Sequence, residues 1–95
     1  MKTIWKLIKN LHDNKAVHKK KQIPINEIEP YKILAHAAEE LIELASEPGD
    51  VFEMADIFGC LIHYCIIQEW TPGMMEKAII QKLSERIEYP KKKSP

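Results

Sequence analysis

Apolar residues recur at helical spacing through most of the chain, and proline and glycine mark the breaks between the periodic stretches. Ile4, Leu7, Ile8 and Leu11 fall on one side of the first stretch and Lys6, Lys9 and Asn10 on the other, which predicts a short amphipathic helix from Thr3 to about His12. The period then lapses. Asp13 to Pro30 holds a charged run (Lys15, His18, Lys19, Lys20, Lys21) followed by Ile23-Pro24-Ile25 and Ile28-Glu29-Pro30, the pattern of a loop with extended segments. From Pro30, a favoured first-turn residue, a helix is predicted to about Glu47, with Leu34, Ala38, Leu41 and Ala45 as its core face and His36, Glu40, Glu43 and Glu47 on a separate stripe. Pro48-Gly49 stops that helix, because proline disfavours helical backbone in its predecessor and glycine permits the reversal. Asp50 is placed to cap the next helix.

That next helix, Val51 to Ile67, is apolar nearly all the way round, so it is expected to be buried on several sides. Thr71 and Pro72 open a final helix whose buried stripe is Met75, Ala78, Ile79, Leu83 and Ile87. The 95 residues make one small domain: an N-terminal helix and loop over 1–30, a helical core over 31–88 and a flexible tail over 89–95. The fold class is all-α, a small helical bundle around a central antiparallel helical hairpin. A chain this short buries only a modest core, and a helix apolar on every side needs more cover than two neighbours supply. Homo-oligomerisation, as a homodimer or homotetramer, is therefore expected to complete the bundle.

Charge and cysteine narrow the function classes. Fourteen basic and fourteen acidic residues balance to zero, so nothing global points to nucleic acid. The start MKTIWKLIKNL lacks both an unbroken apolar stretch and a small-residue cleavage site, and Ile57 to Ile67 is too short to span a bilayer. A cytoplasmic protein without a membrane partner is expected. Cys60 and Cys65 match neither a redox pair nor zinc-ligand spacing and read as reduced core thiols. There is no GxxxxGK[ST] loop and no recognisable Ser/His/Asp set.

The candidate chemistry lies in the acids of the hairpin. Position numbers at one level of an antiparallel hairpin have a constant sum, which sets Glu43 opposite Glu53 and Glu40 opposite Asp56. Each pair is spaced i, i+3, so its carboxylates share a face about 4.5 Å apart along the axis. Four like charges on one patch repel unless a cation lies among them. An oxygen-only donor set suits Mg²⁺, or Mn²⁺, better than Zn²⁺. The plainer alternative is a solvated acidic face.

Glu39-Glu40-x-x-Glu43 followed by Glu53-x-x-Asp56 resembles the EExxE and ExxD motif pair of the MazG-like all-α nucleoside triphosphate pyrophosphohydrolases, relatives of dimeric dUTPase and phosphoribosyl-ATP pyrophosphohydrolase. The resemblance covers roughly Tyr31 to Pro90 and includes Lys82-x-x-x-Arg86 on the third helix of that region. It departs from the family in the short connection from Leu44 to Phe52 and in Ser84-Glu85 before Arg86, where many relatives carry an asparagine. It implies Mg²⁺-dependent cleavage of a nucleoside triphosphate between the α and β phosphorus. Glu40, Glu43, Glu53 and Asp56 would hold the metal, and Glu39 would serve as base or orienter of the attacking water. Lys82 and Arg86 would bind phosphate, and the lysine run from Lys15 to Lys21, otherwise plain solvated surface, would in such an enzyme be able to fold over the phosphates, with Trp5, Tyr31, His36 and Trp70 as candidates to stack on the base. Two other classes fit the residues less fully. A di-metal redox carboxylate protein calls for Glu-x-x-His pairs that this chain lacks, and a non-enzymatic helical interaction or regulatory module would leave the acids as mere surface.

Overall fold

The structure, a computed structural model, describes the backbone of residues 1–47 and 49–93 and the side chains of those up to Arg86. Pro48 and the last residues of the tail, Ser94 and Pro95, lie outside the described residues, as does the side chain of Ile87. The described chain is all-helical: α1 (Lys2–Asp13), α2 (Pro30–Ser46), α3 (Val51–Ile67) and α4 (Pro72–Lys93), with one 3-10 turn at Ile25–Glu27 and no strand. The helix ends follow local chemistry. Asp50 Oδ1 accepts from the backbone N–H groups of Phe52 and Glu53, each at 3.0 Å, and so satisfies two orphan donors of α3. Thr71 Oγ1 accepts from Met74 N–H at 3.1 Å and so satisfies one orphan donor of α4. Glu47, the residue before proline, is extended (φ −135°, ψ 143°), which ends α2 where the pyrrolidine ring would clash with helical backbone. α4 is continuous to Lys93, past the boundary near residue 88 at which the sequence places a flexible tail.

Gly49 has a different use from the one its sequence position suggests. No described glycine has positive φ. A Cβ at Gly49 would instead collide with Leu44 Cδ1 and Glu53 Oε2, so glycine lets the connection pass close between the end of α2 and the first turn of α3. α2 and α3 pack on each other more extensively than any other pair, and α1 packs across α3. Trp5, Ile62 and Cys65 form the buried cluster, with Ile8, Ile66 and Met75 packed around it. Two polar contacts fasten α1: Trp5 Nε1 donates to the carbonyl of Trp70 at 3.2 Å, and His12 Nδ1 lies 3.0 Å from His63 Nε2. Buried polar groups need such partners, and His63 is only 8% exposed.

The buried stripes are turned relative to the sequence reading. α1 buries Trp5 and half-buries Ile8 and His12, while Ile4, Leu7 and Leu11 face outward. α2 buries Ile33 and Ala37 and half-buries Glu40 and Leu44, leaving the expected core face of Leu34, Ala38, Leu41 and Ala45 exposed. The two stripes differ by one residue, about 100° of helix. α3 buries Ile57, Ile62, His63 and Cys65 but exposes Val51, Phe52, Met54, Phe58 and Leu61, so within one chain it is not covered on several sides. On α4 only Met75 of the expected stripe packs on the core; Ala78, Ile79 and Leu83 are exposed. The axes of α3 and α4 change direction by 112° at the break between them, and α4 stands away from α2. Among the described residues, no single helix is long and apolar enough to cross a membrane.

Candidate functional site

The acids come from the ends of α2 and α3 next to the connection between them. Glu40 and Glu43 come from the last two turns of α2, Glu53 and Asp56 from the first two turns of α3. All four line one open cleft of about 510 Å³, together with Glu47, Lys20, Ile42 and Ser46. The i, i+3 spacing on each helix thus delivers the carboxylates to a common space. They are not equally placed within it. Glu40 lies over the helix contact, its side chain 20% exposed, and its Oε1 is 3.3 Å from His36 Nε2 one turn earlier. Glu43, Glu53 and Asp56 are exposed, which differs from the buried setting that the apolar surroundings of Glu53 and Asp56 suggest in sequence.

Cys60 lies one turn after Asp56 on α3. Burial raises its thiol pKa, the neighbouring Asp56 and Glu40 carboxylates raise it further, and Lys21 opposes them. Its charge neighbours therefore come from α2, α3 and the lysine loop together. Cys65 is buried deeper, its pKa also raised by burial, and both thiols are free.

The loop before α2 is more ordered than its composition suggests. His18 N–H donates to the Ile23 carbonyl at 2.7 Å, Gln22 N–H to the His18 carbonyl at 2.9 Å, and Val17 and Pro24 form an isolated antiparallel bridge. The result is a small arm over residues 17–24 with Lys20 near its tip. His18 packs edge-on against His36, ring centroids 6.3 Å apart. Burial first, then the nearby Lys21, His36 and Lys20 charges, hold the His18 imidazole below its ordinary pKa.

The remaining predicted site residues lie elsewhere. Glu39 is exposed beside Glu40 and does not line the cleft. Lys82 and Arg86 are exposed on α4 and do not line it either; Lys82 Nζ lies 3.8 Å from Glu85 Oε2. Trp5 is buried in the core and lines a separate apolar cavity, not the acidic cleft. Trp70 sits beyond the far end of α3, edge-on to Tyr64 at 6.0 Å, and Tyr31 is exposed in the first turn of α2. Of the stacking candidates only His36 borders the acids. Lys20 and Glu47 are the charged cleft residues without an assigned role in the motif; their signals were the lysine run and the spacing of Glu47 four residues after Glu43.

The donor set can be tested against an ion. Among the described residues, no group of three or more His, Cys, Asp or Glu is drawn together closely enough to form a ready cage. A cage is what Zn²⁺ or Ca²⁺ needs, whereas Mg²⁺ commonly takes one or two carboxylates, waters and substrate phosphates. Four cleft carboxylates on two packed helices, with Glu47 just past the end of α2, suit that looser ligation. Comparison with family models, curated proteins and solved structures finds no match to this chain.

Proposed function

We propose that the protein is a Mg²⁺-dependent nucleoside triphosphate pyrophosphohydrolase that converts a ribo- or deoxyribonucleoside triphosphate and water to the monophosphate and pyrophosphate. The observation that carries the reading is the convergence of Glu40, Glu43, Glu53 and Asp56 on one cleft open to solvent. Mg²⁺, or Mn²⁺ in its place, would be held by these side chains and would supply charge neutralisation of the triphosphate and a more acidic water. In the reaction a water oxygen bonds to the α-phosphorus, and the α–β bridging oxygen leaves with pyrophosphate. Glu47 lines the cleft where Glu39 does not, so it is the better placed carboxylate to take the water's proton. His36 holds Glu40 in position through their 3.3 Å contact.

We read the active form as a homodimer or homotetramer. Exposed apolar faces on α2, α3 and α4 support a second copy as cover. Lys82 and Arg86 do not line the cleft of their own chain, so as phosphate ligands they would come from the α4 of another copy. The same apolar faces favour a second reading, a helical interaction module without catalysis. Magnesium-dependent thermal stabilisation separates the two. The direct test is pyrophosphate release from the common ribo- and deoxyribonucleoside triphosphates with Mg²⁺. At least one should turn over and Asp56→Asn should stop it; no release from any, or full activity in that variant, overturns the proposal.

A further inference from the structure

The cleft presents a charge problem that the hairpin does not solve by itself. Five carboxylates line it, and a phosphate chain approaching even a metal-loaded cleft needs positive charge on its outer side. Lys20 is the one cation among the described residues that line the cleft, and it comes from the arm, not from either helix of the hairpin. The arm is built to present it. His18 Nδ1 accepts from the backbone N–H groups of both Lys20 and Lys21, at 3.2 and 3.0 Å. Gln22, with φ 57°, closes the turn, and its Nε2 donates to the Lys19 carbonyl at 2.8 Å. The same His18 ring stands edge-on against His36, whose Nε2 is 3.3 Å from the Glu40 carboxylate. One histidine therefore folds the turn that carries Lys20 and seats that turn beside a cleft acid.

We propose that the 17–24 arm is the phosphate-contacting element of the cleft. Lys20 Nζ bonds the outer phosphates of the substrate, and His18 is the positioning residue that holds the lysine there. This rests on the hydrolase reading and adds a residue to it. A lysine on a fixed turn gives up less conformational freedom on binding than one on a loose loop. As a compact point charge on a flexible stem, it can follow phosphate oxygens through the reaction.

Calorimetry at about pH 8, where histidine is neutral, separates this proposal from the reading beneath it. The probes are magnesium chloride alone, then sodium tripolyphosphate at saturating magnesium. Lys20→Ala should weaken tripolyphosphate binding about tenfold, the loss of one charge-assisted contact, while magnesium affinity stays the same or tightens. Lys20→Arg should retain most of the binding. His18→Ala should weaken it in the same direction. His18→Asn, whose Oδ1 can accept from the same backbone groups, should restore it, which a purely structural loss would not. Wild-type tripolyphosphate affinity in Lys20→Ala, with magnesium still bound, overturns the arm's role and leaves the hydrolase reading standing. Wild-type protein that binds no magnesium overturns both.

Discussion

At the scale of single residues, the structure is held by a few polar contacts that the sequence only half discloses. His63 is nearly buried and meets His12 at 3.0 Å. Burial and the adjacent His12 lower its pKa, so folding favours the neutral ring. A lowered value contributes stability that is complete above about pH 6.5 and is lost as pH falls through the folded-state value. Thermal melts should therefore show falling stability on acidification below about pH 6.5. His63→Gln should cost about 1–3 kcal/mol at neutral pH through the orphaned partner and make that acid slope shallower. Gly49→Ala tests a different contact. Its methyl must displace Leu44 and the Glu53 carboxylate, so a modest stability loss of about 1 kcal/mol should accompany a larger loss of magnesium affinity in calorimetry. The Asp50 and Thr71 caps were legible from residue type, because a short oxygen-bearing side chain before an apolar run has few other uses. The role of Trp5 was not. An aromatic on an amphipathic helix serves a core or a ligand equally well, and only its bond to the Trp70 carbonyl decides.

At the scale of elements, the register of the acids was readable and the rotation of the helices was not. Glu40, Glu43, Glu53 and Asp56 line one cleft because i, i+3 spacing fixes which residues share a face whatever that face meets. α2 carries apolar residues on two adjacent stripes, Ile33 with Ala37 and Leu34 with Leu41. Periodicity cannot say which of them meets α3. The structure turns the first inward and brings Glu40 with it. Glu43→Gln and Asp56→Asn should each abolish pyrophosphate release. Circular dichroism should stay helical and melting temperatures should hold or rise, since each change relieves like-charge repulsion. Turnover near the wild-type level in either variant would remove the carboxylates from the mechanism.

At the scale of the whole molecule, the described chain is elongated. Its radius of gyration is 16.3 Å and its extents are 58 × 33 × 22 Å, against about 12 Å for the radius of a typical domain of this length. Phe52, Phe58, Ile79, Ile80 and Leu83 are each about half exposed or more, and Phe58, Ile79 and Ile80 line one apolar cavity, the kind of exposed apolar surface that marks an interaction site. Light scattering should therefore give a mass of two or four chains at micromolar concentration, and Phe58→Glu should lower it; a monomer throughout would point to the interaction-module reading. The sequence offers two sets of cations for the cleft, the lysine run and Lys82 with Arg86, but which set reaches it depends on the path of the lysine arm and of α4, and neither path is set by helical period; Lys20 lines the cleft and Lys82 and Arg86 do not. The most direct test of the shared-cation claim is a Mn²⁺ titration followed by electron paramagnetic resonance, comparing the wild type with Asp56→Asn. The account predicts that wild-type protein quenches the free-ion signal at a defined stoichiometry and that the variant does not. Equal quenching by both, or none by either, would contradict it.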